Sequence, residues 1–390
     1  MYGFEFGVLH SPASICGPLS QAMKLQDLPT PALILDRSIL ARNLATMQAV
    51  IRRHRVDFRP HIKTAKSAEV ARLAVAGEFG GVTVSTLAEA EYLARHGFSD
   101  ILLAVGITPD KVERGALLIR QGVSLRVITD DLEVAKVIGA HALPFTALVE
   151  VDCGEHRGGV SPDSDMLVAI GHALGAKLRG VLTHAGHSYD QKNLESIRRI
   201  AEQERLAVTI AAARLRTAGL KADVVSVGST PTATHARHLE GVSEVRAGVY
   251  MFQDLFQAEI GSCTREDIAL TVLASVQGRR PGDNKLLVDA GALALSKDQS
   301  TRTAPRNAGF GLILDVLGRP SFGECVIERA NQEHGVAGCD RPIPFESLPL
   351  GTRVRVAPNH ACLMAAAYDR YHVVDGGDEV VAVWDRMNGW

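Results

Sequence analysis

The chain has 390 residues, of which 42 are Lys or Arg and 44 are Asp or Glu, so its formal net charge is −2. Hydrophobic residues make up 46% and charged residues 22% of the sequence, which excludes intrinsic disorder and, without basic runs, argues against nucleic acid as a partner. No apolar run reaches the roughly 18 residues that a membrane span needs, so no membrane partner is expected.

The first 27 residues contain Pro, Gly, Ser and isolated apolar residues, and Lys24 is their only Lys or Arg. A secretory signal needs a basic start and a longer apolar segment. We therefore interpret residues 1–27 as an extension that precedes the folded domains. The six cysteines form no CxxC pair, which predicts reduced thiols in a cytoplasmic protein and no disulfide framework.

Residues 28–260 alternate short β-branched runs with helical, Ala- and Leu-rich stretches. Strands are predicted at 56–59, 81–84, 101–104, 125–128, 147–151, 180–183, 224–227 and 244–249. Helices are predicted at 38–53 and from near residues 65, 87, 109, 130, 164, 191 and 232. This strict alternation predicts a parallel (β/α)8 barrel of the TIM type. A doubly wound sheet is less well supported because the sequence contains neither GxGxxG nor a P-loop.

Residues 261–390 change character, since strand-like runs separated by turn residues replace the helical stretches. These runs lie at 268–276, 285–288, 323–327, 352–357, 371–374 and 379–384. They predict a second, all-β domain at the C-terminus. The predicted fold class is therefore α/β, with an N-terminal barrel and a C-terminal β domain.

Polar residues follow several predicted barrel strands, at the end where active sites lie in this fold. Lys63 follows the first strand and is either a solvated surface lysine or a buried lysine that can form a Schiff base. The stretch Gly228-Ser229-Thr230 follows the seventh strand and is either a capped turn or a phosphate-binding loop. A Schiff-base lysine and a phosphate loop at one opening together predict pyridoxal phosphate as the cofactor.

Two further features have both a structural and a chemical interpretation. Arg157 follows the fifth strand, where it either forms a surface salt bridge or faces the ring nitrogen of the cofactor. His360 and Cys362 are expected at the end of a strand, with both side chains on one face. This pair either packs within the domain or binds a divalent metal, with Zn2+, Mn2+ and Co2+ as candidates.

Five motifs occur in order along both predicted domains. They are Thr30-Pro31-Ala32-Leu33, Arg59-Pro60-His61-Ile62-Lys63-Thr64, His184-Ala185-Gly186-His187-Ser188-Tyr189, Val227-Gly228-Ser229-Thr230-Pro231-Thr232 and Pro358-Asn359-His360-Ala361-Cys362. Their combination resembles the D-serine dehydratase and D-threonine aldolase family of fold type III pyridoxal phosphate enzymes. Within that family, the motifs are most similar to dehydratases of D-threo-3-hydroxyaspartate or D-serine. Ala65 departs from the family, where many members have His.

The resemblance implies a set of site residues. The catalytic candidates are Lys63, His187 and Tyr189. The cofactor-binding candidates are Lys63, Arg157, Tyr189, Gly228, Ser229, Thr230 and Tyr250. The metal-binding candidates are His360 and Cys362, and Glu333 and His334 are weaker candidates without an assigned role.

The resemblance also implies a lyase that converts a small D-3-hydroxy amino acid to a 2-oxo acid and ammonia. Lys63 would remove the α-proton, and the metal would make the β-hydroxyl a better leaving group. Alternatives are an aldolase that breaks the Cα–Cβ bond, a racemase that would leave the His-x-Cys pair unused, and a non-catalytic pyridoxal phosphate carrier. The family resemblance further implies a homodimer in which each β domain caps the barrel of the other subunit.

Overall fold

The computed structural model describes residues 23–77 and 81–390. Most of the predicted N-terminal extension lies outside these residues, whereas residues 23–27 are described. Leu25 is fully buried, and its N–H donates a hydrogen bond to the carbonyl of Asp378 at 2.8 Å. The last residues of that segment therefore pack against the C-terminal part of the chain.

Eight parallel strands form the barrel that the sequence predicts. The first elements of the described chain are β1 (Ala32–Asp36) and α1 (Arg37–His54). The barrel strands are β2 (Asp57–Phe58), β3 (Val82–Val84), β4 (Asp100–Leu103), β5 (Ser124–Thr129), β6 (Thr146–Glu150), β7 (Leu178–Leu182), β8 (Val224–Val227) and β9 (Glu244–Val245). The helices between them are α2 (Ala68–Ala74), α3 (Leu87–Arg95), α4 (Pro109–Arg120), α5 (Leu132–Ala140), α6 (Asp165–Leu174), α7 (Leu194–Thr217) and α8 (Thr230–His235), and α9 (Leu255–Glu259) follows β9.

In the sheet, β2 pairs with β9, and the order then continues as β8, β7, β6, β5, β4 and β3. A parallel bridge between His61 and Thr83 joins the two ends and closes the barrel. All eight predicted strands and all eight predicted helices of the barrel are confirmed. Side-chain caps fix several of the helix starts, as where Asn193 accepts a hydrogen bond from the backbone of Ser196 at the start of α7.

The inside of the barrel is filled by two kinds of side chain. Leu102, Ile128, Leu148 and Leu182, from four neighbouring strands, form an apolar cluster. On the other side, Glu244 accepts hydrogen bonds from buried polar groups of β8 and of the residue after β2. In barrels with a filled interior, ligands bind at the mouth.

A nine-stranded, mostly antiparallel sheet forms the second unit. Its strands besides β1 are β10 (Leu270–Arg280), β11 (Lys285–Val288), β12 (Leu312–Leu314), β13 (Cys325–Ala330), β14 (Gly335–Cys339), β15 (Arg353–Ala357), β16 (Arg370–Val374) and β17 (Ala382–Asp385). The unit also contains the short helices α10 (Ala292–Leu295) and α11 (Ala361–Ala365). The predicted C-terminal β architecture is confirmed, although these two helices were not predicted.

Strand β1 pairs with β10 on one side and with β16 on the other. It therefore lies inside the second sheet, although it precedes the barrel in the chain. All of its residues are buried, because neighbouring strands and packed side chains cover it on every side. Strand β1 is not among the strands predicted from the sequence.

The prediction of reduced thiols throughout is wrong for two cysteines. Cys325 and Cys339 form a disulfide, and they are register partners on the paired strands β13 and β14. Their proximity depends on strand pairing, which spacing along the chain does not reveal. Among the described residues, Cys153, Cys263 and Cys362 are free thiols.

The two units meet at the loop that follows β2. The Tyr371 hydroxyl, from β16, donates to the Ala65 carbonyl at 2.5 Å, and the Met387 N–H donates to the Lys66 carbonyl at 2.8 Å. The second sheet thus holds the backbone of the loop that carries Lys63. Within the described ranges, no helix is both long and apolar enough to cross a membrane.

Candidate active site

A cavity of about 270 Å3 opens at the mouth of the barrel, between the barrel and the second sheet. Most of the predicted site residues line it. They are Lys63, Arg157, Tyr189, Gly228, Ser229, Thr230, His360 and Cys362. Residues that are far apart in the sequence therefore face one space.

Lys63 lies in the loop after β2, and neighbouring strands fix the backbone before it. The His61 N–H donates to the Ala247 carbonyl and the Ile62 N–H donates to the Thr83 carbonyl, each at 2.8 Å. Lys63 lines the cavity but is exposed within it. The side chain thus opens into the cavity, and its role as a Schiff-base lysine stays a prediction.

The loop Gly228-Ser229-Thr230 leads from β8 into α8. Ser229 and Thr232 cap the helix reciprocally, since each hydroxyl accepts the backbone N–H of the other residue at 3.2 Å. A Cβ at Gly228 would lie 1.7 Å from the Arg246 carbonyl oxygen, so only glycine permits this close approach. The result is a compact loop whose residues line the cavity.

Tyr189 and His184 form the wall beside this loop. The Tyr189 hydroxyl accepts the Thr230 N–H at 3.3 Å, and its ring stacks on Phe256 at a centroid distance of 6.3 Å. The His184 Nδ1 lies 2.6 Å from the Gly228 carbonyl oxygen, which can only accept, so Nδ1 carries a proton. Burial and the charge of Lys63 lower the pKa of His184 to about 3, which keeps the ring neutral with Nε2 as an acceptor.

The His360–Cys362 pair lies on a helix terminus and not on a strand, so that part of the prediction is wrong. Strand β15 ends at Ala357, and His360 is the N-cap residue of α11, with Cys362 in its first turn. Burial opposes charge on both side chains, but their mutual hydrogen bond raises the pKa of His360 to about 9 and lowers the pKa of Cys362. The expected proximity of the two side chains is therefore present.

This donor pair fits an open, catalytic type of metal site. Thiolate and imidazole are ligands of borderline-soft metals such as zinc. Asp298 lies 3.8 Å from His360 Nδ1, and buried Asp254 accepts the Ala361 N–H at 3.0 Å. Within residues 23–77 and 81–390, no group of three or more His, Cys, Asp or Glu side chains has metal-binding geometry.

Arg157 forms the salt bridge that its sequence position allowed, while its contact with the cofactor ring nitrogen stays a prediction. Its guanidinium lies 3.3 Å from the Glu155 carboxylate and is 60% exposed, yet it also lines the cavity. Glu155 in turn accepts the Gly186 N–H at 3.2 Å. The Glu155 carboxylate thus links the loops after β6 and β7 at the cavity rim.

Two predicted site residues are not among the described residues that line the cavity. Both ring nitrogens of His187 are buried without a hydrogen-bond partner in the described chain. Tyr250 is buried and packs edge-on against Phe58 at a centroid distance of 5.6 Å, while its backbone N–H donates to the Thr230 hydroxyl at 3.2 Å. Tyr250 thus supports the loop through its backbone.

The weaker candidates Glu333 and His334 lie in the turn between β13 and β14. Both are exposed, and the His334 carbonyl accepts the Asn331 N–H at 2.9 Å. The structure therefore does not bring them to the cavity of this chain.

Five polar residues of the cavity were not singled out from the sequence, namely Glu150, Arg246, Asp254, Gln257 and Ser300. Glu150 and Arg246 lie at the ends of β6 and β9, and burial raises the pKa of Glu150. Gln257 is 1% exposed, lines the cavity and has a buried Oε1 without a hydrogen-bond partner among the described residues. A charged residue at the end of a predicted barrel strand was a usable signal for the first two.

The cavity residues fit pyridoxal phosphate. An amine, Lys63, lies in the same cavity as the loop Gly228-Ser229-Thr230, which contributes two hydroxyl residues at the start of α8. These are the donor types that an aldehyde and a phosphate require. The fit rests on groups from separate loops, which is more specific than any one of them.

The barrel, the second sheet and the cavity between them define an enzyme of the alanine racemase-like class. The model of the alanine racemase N-terminal domain matches residues 35–255, and that of a serine dehydratase domain matches residues 269–374. The chain belongs to the D-serine dehydratase and D-threonine aldolase family of fold type III pyridoxal phosphate enzymes, as its motifs indicate. It is a lyase of this family.

Two dehydratases are similar over nearly the whole chain. The chain is 42% identical to D-threo-3-hydroxyaspartate dehydratase of Delftia sp. strain HT23, with 94% of this chain and 99% of that protein covered. It is 30% identical to D-serine dehydratase of Dictyostelium discoideum, with coverages of 94% and 98%. An aldolase, the 3-hydroxy-D-aspartate aldolase of Paracoccus denitrificans, is more distant at 28% identity, with 94% of each chain covered.

The solved structure of the Delftia dehydratase has the same fold. It superposes with a TM-score of 0.90 at 42% identity, covering 94% of this chain and 100% of that chain. A variant of that enzyme, solved in a metal-free form, superposes with a TM-score of 0.91 at 41% identity, with the same coverages.

Proposed function

We propose that this chain is a pyridoxal phosphate- and metal-dependent dehydratase that converts D-threo-3-hydroxyaspartate or D-serine to a 2-oxo acid and ammonia. The observation that carries this proposal is the single cavity lined by Lys63, Gly228–Thr230, His360 and Cys362. Dehydration requires a base at the α-carbon and assistance to a poor leaving group. The cavity supplies residues for both tasks.

The barrel residues would hold the cofactor and move the proton. Pyridoxal phosphate, when bound, supplies an electron sink for negative charge at the substrate α-carbon. Thr230, Ser229 and the Tyr189 hydroxyl would bind the phosphate, and Arg157 would face the ring nitrogen. Lys63 would bind the aldehyde carbon, and its freed amine would take the α-proton.

The residues at the start of α11 would hold the metal, which we propose to be zinc. A zinc ion held by His360 and Cys362 would supply Lewis acidity at the β-hydroxyl. Burial raises the pKa of the Cys362 thiol, but its hydrogen bond to His360 and the charge of His360 outweigh burial and lower that pKa, which favours the thiolate that a metal needs. The overall reaction balances, because water lost in elimination is regained when the product hydrolyses to the oxo acid and ammonia.

Product identification tests the proposal. Zinc-loaded holoprotein is incubated with D-threo-3-hydroxyaspartate and, separately, with D-serine, and the products are identified by mass spectrometry. Oxaloacetate or pyruvate with equimolar ammonia is expected, and a Lys63→Ala variant is expected to form neither. Glycine with glyoxylate would mean that the Cα–Cβ bond breaks, and the aldolase alternative would replace this proposal. No turnover of either compound would overturn it.

The proposal extends to a homodimer located in the cytoplasm. Leu293 on α10 and Leu363 on α11 are 58% and 46% exposed on two helices that contact each other beside the cavity, which supports burial of this face in a subunit interface. The three free thiols of the described residues support a reducing compartment, whereas the Cys325–Cys339 disulfide counts against it. Light scattering of the purified holoprotein tests the dimer, and cell fractionation tests the compartment.

A further inference from the structure

Glu204 is a carboxylate inside the molecule that none of the sequence motifs includes. It lies in the middle of α7 and is only 2% exposed. Burying a carboxylate is costly unless hydrogen bonds compensate for the lost water. Its partners therefore indicate what the residue does.

One carboxylate oxygen of Glu204 serves two active-site loops. Its Oε1 accepts the Gly228 N–H at 2.9 Å and the Ala185 N–H at 3.2 Å. Gly228 begins the loop at the start of α8, and Ala185 follows His184 in the loop after β7.

The same loops are also bonded to each other. The His184 Nδ1 donates to the Gly228 carbonyl at 2.6 Å, and the Ser188 and Ser229 hydroxyls are 2.9 Å apart. The peptide groups on both sides of Gly228 are thus fixed, one through its N–H by Glu204 and the other through its carbonyl by His184. Glu204 lies behind the loops and is not among the described residues that line the cavity.

We propose that Glu204 is a positioning residue that holds Gly228 and Ala185 so that Ser229 and Thr230 present a preformed phosphate-binding surface. This inference rests on the proposed function, because it takes the phosphate of pyridoxal phosphate as the ligand. It predicts that the reach of the side chain to both N–H groups matters more than its charge. Reach and charge can be separated by substitution.

The experiment compares Glu204→Gln, which keeps an oxygen acceptor at the same reach, with Glu204→Asp, which keeps the charge but is one methylene shorter. Dissociation constants of the apoprotein are measured for pyridoxal phosphate and for pyridoxal, which lacks the phosphate. We expect E204Q to bind pyridoxal phosphate within about threefold of wild type and E204D to bind it at least about tenfold more weakly. Pyridoxal affinity should change much less, since a general structural defect would weaken both ligands.

The matched control is Glu202→Asp, two residues earlier on α7, where the carboxylate is 42% exposed and pairs with Arg205 at 2.7 Å. It should bind both ligands as wild type does. Wild-type affinity in E204D, or equal losses for E204D and E204Q, would overturn the inference. Equal affinity of the wild type for pyridoxal and pyridoxal phosphate would also overturn the inference, because the phosphate would then add nothing to binding. Failure of the wild type to bind either compound would overturn the proposed function itself.

Discussion

At the scale of single residues, His360 and Cys362 form the most chemically specific pair in the cavity. Each residue stabilises the charged form of the other, with the pKa of His360 raised to about 9 by Cys362 despite burial. Both side chains belong to the first residues of α11, where the backbone fixes their spacing. Removal of either side chain should therefore remove a ligand without unfolding the domain.

Cys362→Ala should lower the affinity for zinc at least about 100-fold, because a lost ligand costs more than the 10- to 100-fold typical of outer-shell partners. Competition with a chromophoric chelator measures this affinity. Cys263→Ala, which removes a free cysteine that does not line the cavity, should leave it unchanged. Unaltered zinc binding and turnover in the Cys362 variant would reject the metal role.

His184 makes a prediction about stability and pH. Its pKa is about 3 in the folded protein, against 6.5 for the unperturbed side chain, so between these values the unfolded chain binds a proton that the folded chain does not. The free energy of unfolding should therefore fall as pH drops below 6.5, by up to about 1.4 kcal/mol per pH unit from this group. Urea unfolding of the apoprotein from pH 7 to pH 5 measures the slope, which should be smaller in His184→Gln. Equal slopes would show that His184 is charged in the folded state.

At the scale of elements, the cross-strand disulfide is the feature with a direct test. Cys325 and Cys339 are separated by 14 positions and link β13 to β14. A disulfide that closes a loop of this size restricts the unfolded chain, and it typically raises the free energy of unfolding by about 3 kcal/mol. Reductant should lower the free energy of unfolding of the wild type by up to that amount, and a Cys325→Ala, Cys339→Ala double variant should not respond to it. Alkylation of both cysteines in unreduced, denatured protein would contradict the disulfide.

The sequence predicted the barrel elements well because parallel strands covered on both faces are continuous apolar runs. It missed β1, β12 and β14 for different reasons. Strand β1 has a partner far along the chain, whereas β12 is short and β14 begins with glycine. The start of α11 was mistaken for a strand end because His360-Ala361-Cys362 shows no helical period over so few residues.

The candidate site was predictable where a residue follows a barrel strand, as Lys63 and Thr230 do. It was not predictable where a residue acts from within a helix. In the sequence, nothing distinguishes Glu204 from a solvent-exposed glutamate on a helix. Only the packing of α7 against two loops in the folded protein reveals its partners. His187 also follows a barrel strand, but it is not among the described residues that line the cavity, and its catalytic role stays a prediction.

At the scale of the whole molecule, the second sheet supports the loop that carries Lys63. Tyr371 is fully buried, donates to the Ala65 carbonyl at 2.5 Å and packs on Phe252 of the barrel at a centroid distance of 5.6 Å. This contact couples the order of the loop to the docking of the two units. Loss of the Tyr371 hydroxyl should therefore increase the mobility of the loop, with only a small decrease in the free energy of unfolding of the whole protein.

Tyr371→Phe should lower the free energy of unfolding by about 0.5–1.5 kcal/mol and speed hydrogen exchange of the backbone amides at 61–66. Tyr368→Phe is the matched control, because the Tyr368 hydroxyl donates to the Ala294 carbonyl at 3.1 Å within the second unit. It should cost similar stability but leave exchange at 61–66 unchanged. Equal exchange in both variants would show that the sheet does not hold the loop.

The position of β1 has a consequence for how the protein is made. This strand leaves the ribosome before any barrel strand, yet its partners β10 and β16 are synthesised after the whole barrel. A buried, apolar segment must therefore remain unpaired throughout most of translation, which is the situation that recruits chaperones. The barrel is in effect an insertion within the sheet, and a gene fragment that encodes only the C-terminal part would lack an internal strand.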